Sequence, residues 1–259
     1  MRSTSVAIVV PIFNEERRLP ALVRKLADEA DAIASNCGLE LRELVLVDDG
    51  STDGTAELLR EFARADARVT TLHFERNRGK GAAVKEGMLA ASSALALMTD
   101  VDLSTPLEDL AVLMPVVEGG ADVAIASRAM KESRVLVRQP AHRELMGKAF
   151  NVGVRLLTGI PWRDTQCGFK LFRHDTTRRI FELQRIEGFA FDVEALVIAR
   201  RLGLRVEEVP VRWIDNPDTR VGVVTSSTAM ALDLIRIAYR ARRPLPRSAP
   251  APQRDLSIR

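Results

Sequence analysis

Two carboxylate side chains, those of Asp100 and Asp102, follow a short apolar stretch at residues 94–98. The stretch predicts a buried strand because it is apolar, short and followed by turn-forming residues at 104–106. Ligands of α/β proteins bind beyond the carboxyl ends of the strands, and Mg2+ and Mn2+ prefer oxygen ligands. Asp100 and Asp102 are therefore candidate metal ligands. The alternative is an acidic turn that only begins a helix at Pro106.

A second candidate site is the basic segment at residues 76–81, which reads Arg-Asn-Arg-Gly-Lys-Gly and precedes a predicted helix. Free backbone N–H groups, the positive end of the helix dipole and the Lys80 ammonium group would together favour a phosphate there. The spacing of the glycines and the lysine is not that of a Walker A loop.

Two more polar segments follow predicted strands. Residues 11–16 read Pro-Ile-Phe-Asn-Glu-Glu, and residues 48–55 read Asp-Asp-Gly-Ser-Thr-Asp-Gly-Thr. In residues 48–55, three acids, two glycines and three hydroxyl side chains suit a tight loop that caps a helix. The first turn also lacks the G-x-G-x-x-G signature, which argues against a dinucleotide-binding Rossmann domain.

The alternation of strand and helix patterns predicts an α/β fold with a mainly parallel central sheet flanked by helices. Strands are predicted at residues 6–12, 44–47, 69–74, 94–98, 123–126, 164–172 and 205–213. Helices are predicted at 19–33, 55–62, 82–91, 106–117, 141–157, from 188 onward and at 226–240. Polar composition predicts a mobile loop at 129–139 and a disordered tail at 244–259.

The composition is that of an ordinary globular protein. The chain has 259 residues, which suits one large domain, and its net charge of +3 is too small to indicate nucleic-acid binding. Its two cysteines, Cys37 and Cys167, predict neither a disulfide framework nor a Cys/His metal site. No signal peptide and no apolar run of about 18 residues is evident. A reducing, cytoplasmic setting is the default expectation.

These segments, in this order, resemble the family 2 glycosyltransferases, which have the GT-A fold, a Rossmann-like fold that binds nucleotide-diphospho-sugars. Residues 164–170, Asp-Thr-Gln-Cys-Gly-Phe-Lys, and residues 191–194, Phe-Asp-Val-Glu, look like the dolichyl-phosphate glucosyltransferase branch. The resemblance runs from Val6 to about Tyr239. Many family members carry transmembrane helices beside the catalytic domain, and this sequence departs from them in that respect.

The resemblance implies one GT-A domain over residues 1–243, with a donor half at about 6–127 and an acceptor half at about 128–243. It also implies the roles of single residues. The donor-binding residues would be Pro11, Phe13, Asn14, Glu15, Asp48, Asp49, Lys80, Asp100 and Val101. The metal ligands would be Asp100 and Asp102, and the residues acting on the acceptor or in catalysis would be Asp102, Arg128, Arg143 and Asp192.

Within these sets, Asp49 would contact the base or the ribose, Lys80 would approach the donor phosphates, and Arg128 and Arg143 would receive the acceptor phosphate. The implied reaction moves glucose from UDP-glucose to a dolichyl or polyprenyl phosphate, with inversion and with Mg2+ or Mn2+ as cofactor. Alternatives are a GDP-mannose-dependent polyprenyl-phosphate mannosyltransferase, a transferase with a soluble acceptor, and a non-catalytic sugar-nucleotide binding protein.

The residues alone leave several roles open. Asp192 occupies the position of the general base in relatives with hydroxyl acceptors, and it would suit a helix N-cap equally well. Glu15 would suit the first turn of a helix, and an isolated Arg128 would suit a solvated loop. Trp213 is a core or acceptor-groove residue, and Cys167 is expected to be a small buried residue.

A polyprenyl acceptor resides in a bilayer, so the implied partners include a membrane surface or a membrane partner protein. The expected location is cytoplasmic, with peripheral attachment to the inner face of the membrane. The predicted helix at 226–240 is amphipathic and would either lie in an anionic lipid surface or pack on the domain. Its apolar face is formed by Met230, Leu234, Ile237 and Ala238, with Ala231 and Ile235 flanking it. Its positive charges, with those of the residues that follow, are Arg236, Arg240, Arg242 and Arg243.

Overall fold

A computed structural model of this protein describes residues 4–137, 141–215 and 223–245, without the side chains of residues 141–143 and 223–227. The strands are β1 (Thr4–Ile12), β2 (Leu39–Asp48), β3 (Val69–His73), β4 (Leu95–Met98), β5 (Val123–Ser127), β6 (Arg134–Val137), β7 (Lys170–Arg173), β8 (Val206–Pro210) and β9 (Arg212–Ile214). The helices are α1 (Leu19–Asp28), α2 (Ala30–Asn36), α3 (Thr55–Ala65), α4 (Lys80–Ala90), α5 (Leu110–Glu118), α6 (Ala141–Thr158), α7 (His174–Phe181), α8 (Phe191–Arg201) and α9 (Val223–Ala241).

Seven strands form the central sheet in the order β3-β2-β1-β4-β7-β5-β8. All neighbouring pairs are parallel except those of β7, which runs antiparallel to β4 and β5. The strands β6 and β9 form a separate two-stranded parallel sheet. The predicted α/β fold with a mainly parallel central sheet is confirmed.

The alternation of side chains along each strand places a hydrophobic core on both faces of the sheet. Along β1, Val6, Ile8 and Val10 pack with α1, α2, α3 and α5, whereas Ala7 and Val9 pack with the opposite layer. That layer contains residues of α4 and of α6 to α9. A strand buried on both faces has few polar positions, which explains the continuous apolar runs in the sequence.

Several predicted elements differ from the structure. The predicted helix at 19–33 is two helices, α1 and α2, and Glu29, with φ −120°, is the C-cap of the first and the N-cap of the second. The predicted mobile loop at 129–139 is wrong in part, since residues 134–137 form β6. The predicted strand at 205–213 is also wrong in part, because it divides into β8 and β9, which belong to different sheets.

The predicted strand at 164–172 is shorter than expected and begins at Lys170, and α7 follows it without having been predicted. The predicted apolar face of α9 packs on the domain: Leu234, Ile237 and Ala238 are buried and Met230 is half-buried. The interpretation that this face contacts lipid is therefore wrong. Within the described ranges no helix is long and apolar enough to cross a bilayer. The predicted tail lies outside these ranges, apart from residues 244–245.

Candidate active site

The loops that follow β1 and β2 are joined by hydrogen bonds. Asn14 has φ +54°, a conformation that asparagine tolerates better than most residues, and its backbone N–H donates to Ser51 Oγ at 2.9 Å. Its side-chain oxygen accepts the N–H of Thr52 at 2.8 Å, and the N–H of Glu15 donates to Thr55 Oγ1 at 2.8 Å. The hydroxyl-rich loop after β2 thus fixes the loop after β1 at the same edge of the sheet.

Besides Asn14, the sequence predicts three donor-binding residues in the first loop, and these have different environments. Pro11 is buried inside β1, beyond the last residue of β1 that pairs with β4, where the missing N–H is tolerated. Phe13 is exposed, whereas Glu15 forms an ion pair with Arg18 in the turn before α1. The first-turn interpretation of Glu15 is wrong, because α1 begins at Leu19 and has no acid in its first turn. The contact of Glu15 with a nucleotide stays a prediction.

The side chains of Asp48 and Asp49 organise the neighbouring loops. The buried Asp49 carboxylate accepts the N–H groups of Arg78 and Gly79 at 2.7 and 2.8 Å and the side-chain amide of Asn77 at 2.9 Å. Burial raises the pKa of Asp49 above its ordinary value, although these donors oppose the shift. Asp49 thereby holds the basic loop at the carboxyl end of β2.

Asp48 is likewise buried, and its carboxylate accepts the N–H of Ser51 at 2.9 Å and lies 2.6 Å from Nδ1 of His73. Both aspartates therefore act on protein groups in this structure. Their predicted contact with the base or ribose is not tested by these hydrogen bonds and stays a prediction.

Lys80 is the first residue of α4, and its side chain reaches the end of β4. Its Nζ lies 2.6 Å from Oδ1 of Asp100. Burial acts to lower the pKa of Lys80, but the carboxylates of Asp100, Asp192 and Asp102 outweigh burial and raise that pKa. Lys80 therefore carries a positive charge among three acids, at the position where the sequence predicts a diphosphate.

The acidic pair lies on a tight turn. The N–H of Leu103 donates to the carbonyl of Asp100 at 3.1 Å, and Leu103 itself has φ +48°, which costs energy in a branched residue. Asp102 Oδ1 accepts the N–H of Ser104 at 3.0 Å. Burial and the nearby charge of Asp100 raise the pKa of Asp102 above its ordinary value.

The carboxylate oxygens of this turn are suitable ligands for a hard divalent cation. Asp100 and Asp102 are close enough for one charge to raise the pKa of the other, and a cation would relieve that repulsion. Gly168 lies against Asp100, such that a Cβ at residue 168 would overlap Oδ2 of the carboxylate. Across the described ranges no group of three or more His, Cys, Asp or Glu side chains could hold a metal. A cation here would take its remaining ligands from substrate or water.

The segment before α8 supports the basic loop through close backbone contacts. A Cβ at Gly79 would lie 2.5 Å from the carbonyl oxygen of Glu187, and one at Gly81 would lie 2.5 Å from that of Ile186. Gln184 Nε2 donates to the carbonyl of Gly81 at 2.9 Å. The glycines beside Lys80 thus allow the segment before α8 to approach the loop.

The sequence analysis missed the partner of Asp192. Lys170, the first residue of β7, forms an ion pair with Asp192 and also donates to the carbonyl of Cys167 at 2.6 Å. The two side chains are 1% and 5% exposed. The N-cap interpretation of Asp192 is wrong, since Ala190 is the N-cap of α8. The sequence feature that could have predicted this ion pair is a lysine between Phe169 and Leu171 in an apolar strand, because a buried charge requires a partner.

Arg128, directly after β5, is paired rather than solvated. Its Nε and Nη2 donate to the two carboxylate oxygens of Asp164 at 2.7 and 2.9 Å, and its guanidinium group lies 5.3 Å from the ring centroid of Trp213. Burial acts to lower the pKa of Arg128, but Asp164 outweighs it and raises that pKa. Trp213 is both buried and part of the cleft, so its two predicted environments coincide.

Arg128, Asp164 and Trp213 border a cavity of about 760 Å3. Its walls combine apolar and cationic side chains contributed by the chain around β6 and by α6. The lining includes Met130, Arg134, Val135, Lys148, Val152, Arg155, Arg163 and Gln166. The structure thus places a large open cleft beside the arginine that the sequence assigns to an acceptor phosphate.

Two other predicted residues have different outcomes. The side chain of Arg143 lies outside the described residues, although its backbone is in α6. Cys167 is buried, as expected, and burial raises the pKa of its thiol to about 11, which disfavours the reactive thiolate.

Known proteins resemble this chain in sequence and in fold. The sequence profile of Glycosyl transferase family 2 matches residues 7–181. A dolichyl-phosphate beta-glucosyltransferase of Dictyostelium discoideum is 32% identical over 245 residues, which cover 91% of this chain and 74% of that protein. The Homo sapiens protein of the same name is 30% identical over 247 residues, which cover 91% and 75%.

The fold is similar to that of glucosyl-3-phosphoglycerate synthase from Mycobacterium tuberculosis, solved in complex with Mn2+, UDP and glucosyl-3-phosphoglycerate. The TM-score is 0.66, with 16% identity and coverage of 91% of this chain and 80% of the synthase chain. This likeness establishes the GT-A architecture. The matching profile and the extended similarity to dolichyl-phosphate beta-glucosyltransferases show that the chain belongs to glycosyltransferase family 2.

Proposed function

We propose that this protein transfers glucose from UDP-glucose to a dolichyl or polyprenyl phosphate and forms a β-linked lipid-phosphate glucose. The observation that carries the proposal is the juxtaposition of two charged regions. Lys80, Asp100 and Asp102 meet beyond the end of β4, and Arg128 is close enough to Asp100 for that carboxylate to contribute to its raised pKa. Asp164 and Trp213 place the same arginine at the edge of the cleft. The names of the similar proteins support the choice of acceptor and sugar.

The donor diphosphate would bind between the basic loop and the acidic turn. Lys80 and the N-terminus of α4 supply positive charge, and Asp49 fixes the loop that presents them. Asp100 and Asp102 would hold a divalent cation, Mg2+ or Mn2+, and the Mn2+ in the structurally similar synthase supports this assignment. When bound, such a cation stabilises the charge that develops on a departing diphosphate.

The acceptor phosphate would bind Arg128. Two of the guanidinium N–H groups are used by Asp164, which fixes the orientation of the planar fork and leaves further N–H groups for a phosphate. The apolar residues Met130 and Val135 suit the start of an isoprenoid chain, and the surrounding cations suit its phosphate. Arg143 is proposed as a second phosphate ligand on the strength of the family resemblance.

The reaction is a single displacement. An oxygen of the acceptor phosphate forms a bond to the anomeric carbon, the bond from that carbon to the donor phosphate oxygen breaks, and UDP leaves with the electron pair. The acceptor is already an anion near neutral pH, so positioning matters more than proton removal. One displacement inverts the anomeric centre. Asp192, fixed by Lys170, would orient the sugar or the acceptor.

The alternatives make different demands on the cleft. A soluble phosphorylated acceptor would need the cations but not the apolar wall formed by Met130, Val135 and Val152. A mannosyltransferase would use the same phosphate groups and differ in a few sugar and base contacts. A sugar-nucleotide binding protein would not need Arg128 at a large cleft.

Pairwise incubation distinguishes these alternatives. UDP-glucose and GDP-mannose are each mixed with a short-chain polyprenyl phosphate or with 3-phosphoglycerate, with Mn2+ present, and products are identified by mass spectrometry. We expect a hexosyl polyprenyl phosphate from UDP-glucose. Faster transfer from GDP-mannose, or transfer to 3-phosphoglycerate alone, would replace the proposal with the corresponding alternative. Donor binding without transfer to either acceptor would indicate a binding protein.

A further inference from the structure

Helix α6 exposes an apolar stripe to solvent. Leu145, Val152 and Leu156 are spaced i, i+7 and i+11, which places them on one side of a helix, and they are 68%, 54% and 80% exposed. Val154 lies on the opposite side of the helix and is completely buried. The helix therefore packs on the domain through one side and leaves an apolar side uncovered.

Helix α9 has the same arrangement. Leu232, Ile235 and Tyr239 are spaced i, i+3 and i+7 and are 57%, 60% and 55% exposed, whereas Leu234 and Ile237 are buried. This exposed stripe is not the apolar face that the sequence analysis identified, which packs inward. Three large apolar side chains on the outward side of one helix are thus more than half exposed.

The two stripes belong to one surface. Helices α6 and α9 pack on each other, and Val154, Leu234 and Ile237 belong to the same buried cluster on one face of the central sheet. Because each stripe lies opposite those buried residues, both stripes face away from the sheet on the same side. We name this surface the outer face and define it by Leu145, Val152, Leu156, Leu232, Ile235 and Tyr239. Val152 also lines the 760 Å3 cavity, so the outer face borders the acceptor cleft.

The described side chains of α6 and α9 carry more cations than acids. The cations are Lys148, Arg155, Arg236 and Arg240, and the acids are Glu144 and Asp233. Lys148 and Arg236 form ion pairs with these two acids, and Arg240 pairs with Glu194 of α8. Arg242 and Arg243 follow α9 directly. An exposed apolar surface flanked by basic residues is complementary to a bilayer with anionic headgroups, since the apolar side chains enter the interface and the cations remain at the headgroups.

We propose that the outer face docks on an anionic lipid bilayer and brings the acceptor cleft to the headgroup level. The choice of a bilayer as partner rests on the proposed function, because a polyprenyl phosphate is presented from a bilayer. The docking itself requires no acceptor and no donor. It can therefore be tested with vesicles that contain neither.

The test is flotation of the full chain with phosphatidylcholine vesicles that do or do not contain phosphatidylglycerol. We expect the wild-type chain to float with the anionic vesicles at low salt and to dissociate at high salt. Leu156→Glu and Ile235→Glu should each lower partition by about tenfold or more. Val112→Glu is the matched control, because Val112 is also exposed but lies on α5, across the sheet, and it should float like wild type.

A wild-type chain that stays with the soluble fraction at low salt would overturn the proposal, as would equal flotation of all three variants. If sedimentation then shows a dimer that Leu156→Glu dissociates, the outer face is an interface between copies. Transfer to a short-chain acceptor in detergent is measured in parallel and should be the same for wild type and Leu156→Glu. Absence of transfer in detergent would contradict the proposed function and leave the flotation result standing.

Discussion

The ammonium group of Lys80 lies 2.6 Å from the carboxylate of Asp100 and joins the start of α4 to the end of β4. The pair brings the basic loop and the acidic turn into one site. Three carboxylates raise the pKa of this lysine, so it stays charged across the physiological pH range. A donor diphosphate and its cation would contact both members of the pair, which makes these residues the first targets for mutation.

Replacement of the acidic turn should remove metal-dependent activity without unfolding the protein. Asp102→Asn keeps the side-chain size and removes one of two adjacent negative charges, so the protein should be at least as stable as wild type at neutral pH. We expect turnover to fall by about 100-fold or more, as for other preorganised electrostatic groups. Steady-state kinetics and Mn2+ titration calorimetry measure the two effects.

The matched control for that variant is Glu61→Gln, which removes an exposed acid on α3. It should bind Mn2+ and turn over like wild type. Retention of full metal-dependent turnover by Asp102→Asn would contradict the assignment of Asp102 as a metal ligand.

Gly168→Ala should displace the Asp100 carboxylate, although residue 168 is not part of the acidic turn. The added Cβ would overlap Oδ2 of Asp100, and the carboxylate can move aside because it is the end of a side chain. Stability should therefore change little, while Mn2+ affinity or activity falls by about tenfold or more. Gly153→Ala in α6 is the control, since its Cβ would meet Leu234 at an ordinary distance of 3.9 Å. Unchanged Mn2+ affinity in Gly168→Ala would show that the Asp100 carboxylate is not constrained by this contact.

Variants of the buried ion pair formed by Lys170 and Asp192 should distinguish its contribution to stability from its contribution to activity. Lys170→Met leaves a carboxylate buried without its partner, and we expect a loss of about 3–5 kcal/mol in the free energy of unfolding. The double variant Lys170→Met/Asp192→Leu removes both charges and should recover most of that stability. Denaturant titration measures both variants.

If Asp192 orients the sugar or the acceptor, the stable double variant stays inactive. Lys170→Arg, which keeps the charge, should retain part of the activity. A double variant with wild-type kcat and KM would show that the pair is structural only.

Arg128→Lys should weaken use of the acceptor without weakening donor binding. Lysine keeps the charge but loses the planar fork that pairs with Asp164 and the stacking over Trp213. We expect a higher KM for polyprenyl phosphate and an unchanged calorimetric affinity for UDP-glucose, and Arg143→Lys is tested beside it. Collapse of donor affinity with an unchanged acceptor KM would reverse the assignment of the donor and acceptor sites.

The pair of Arg128 and Asp164 should also make stability depend on pH. Burial acts to raise the pKa of Asp164, but Arg128 outweighs it and holds that pKa below its ordinary value. The unfolded chain, with a pKa of about 3.9, then binds more protons than the folded chain, so this contribution is present above about pH 3.9 and is lost as the pH falls through the folded pKa. The difference in Tm between wild type and Asp164→Asn should therefore shrink in acid. A constant difference would contradict this origin.

The strand ends were predictable from the sequence because their signal is local. An apolar run that stops at Asp48 or Asp100 shows where a parallel strand ends, and parallel strands bring those ends to one edge. The partners of these residues were not predictable, because they depend on packing between distant segments. Asp49 meets the loop at 77–79, and Lys170 meets Asp192 across 22 positions.

Helix α9 shows a second limit of sequence analysis. Its apolar residues occupy both sides, with Leu234 and Ile237 on one and Leu232 and Ile235 on the other. Helical periodicity alone does not decide which side faces the core, since the neighbouring helices determine it. The strand β6 was missed for a similar reason, because its partner β9 lies far along the chain and its own side chains are mostly exposed.

Transfer of glucose to a lipid phosphate is measured by nuclear magnetic resonance of the reaction product. The protein is incubated with carbon-labelled UDP-glucose, Mn2+ and a short-chain polyprenyl phosphate, with a parallel sample in excess EDTA. We expect the phosphorus signal of the lipid monoester to become that of a diester and the attached glucose to have the β configuration. Excess EDTA should prevent formation of this product. An α-linked product, free glucose without a diester, or full turnover in EDTA with verified absence of metal would contradict the proposed function.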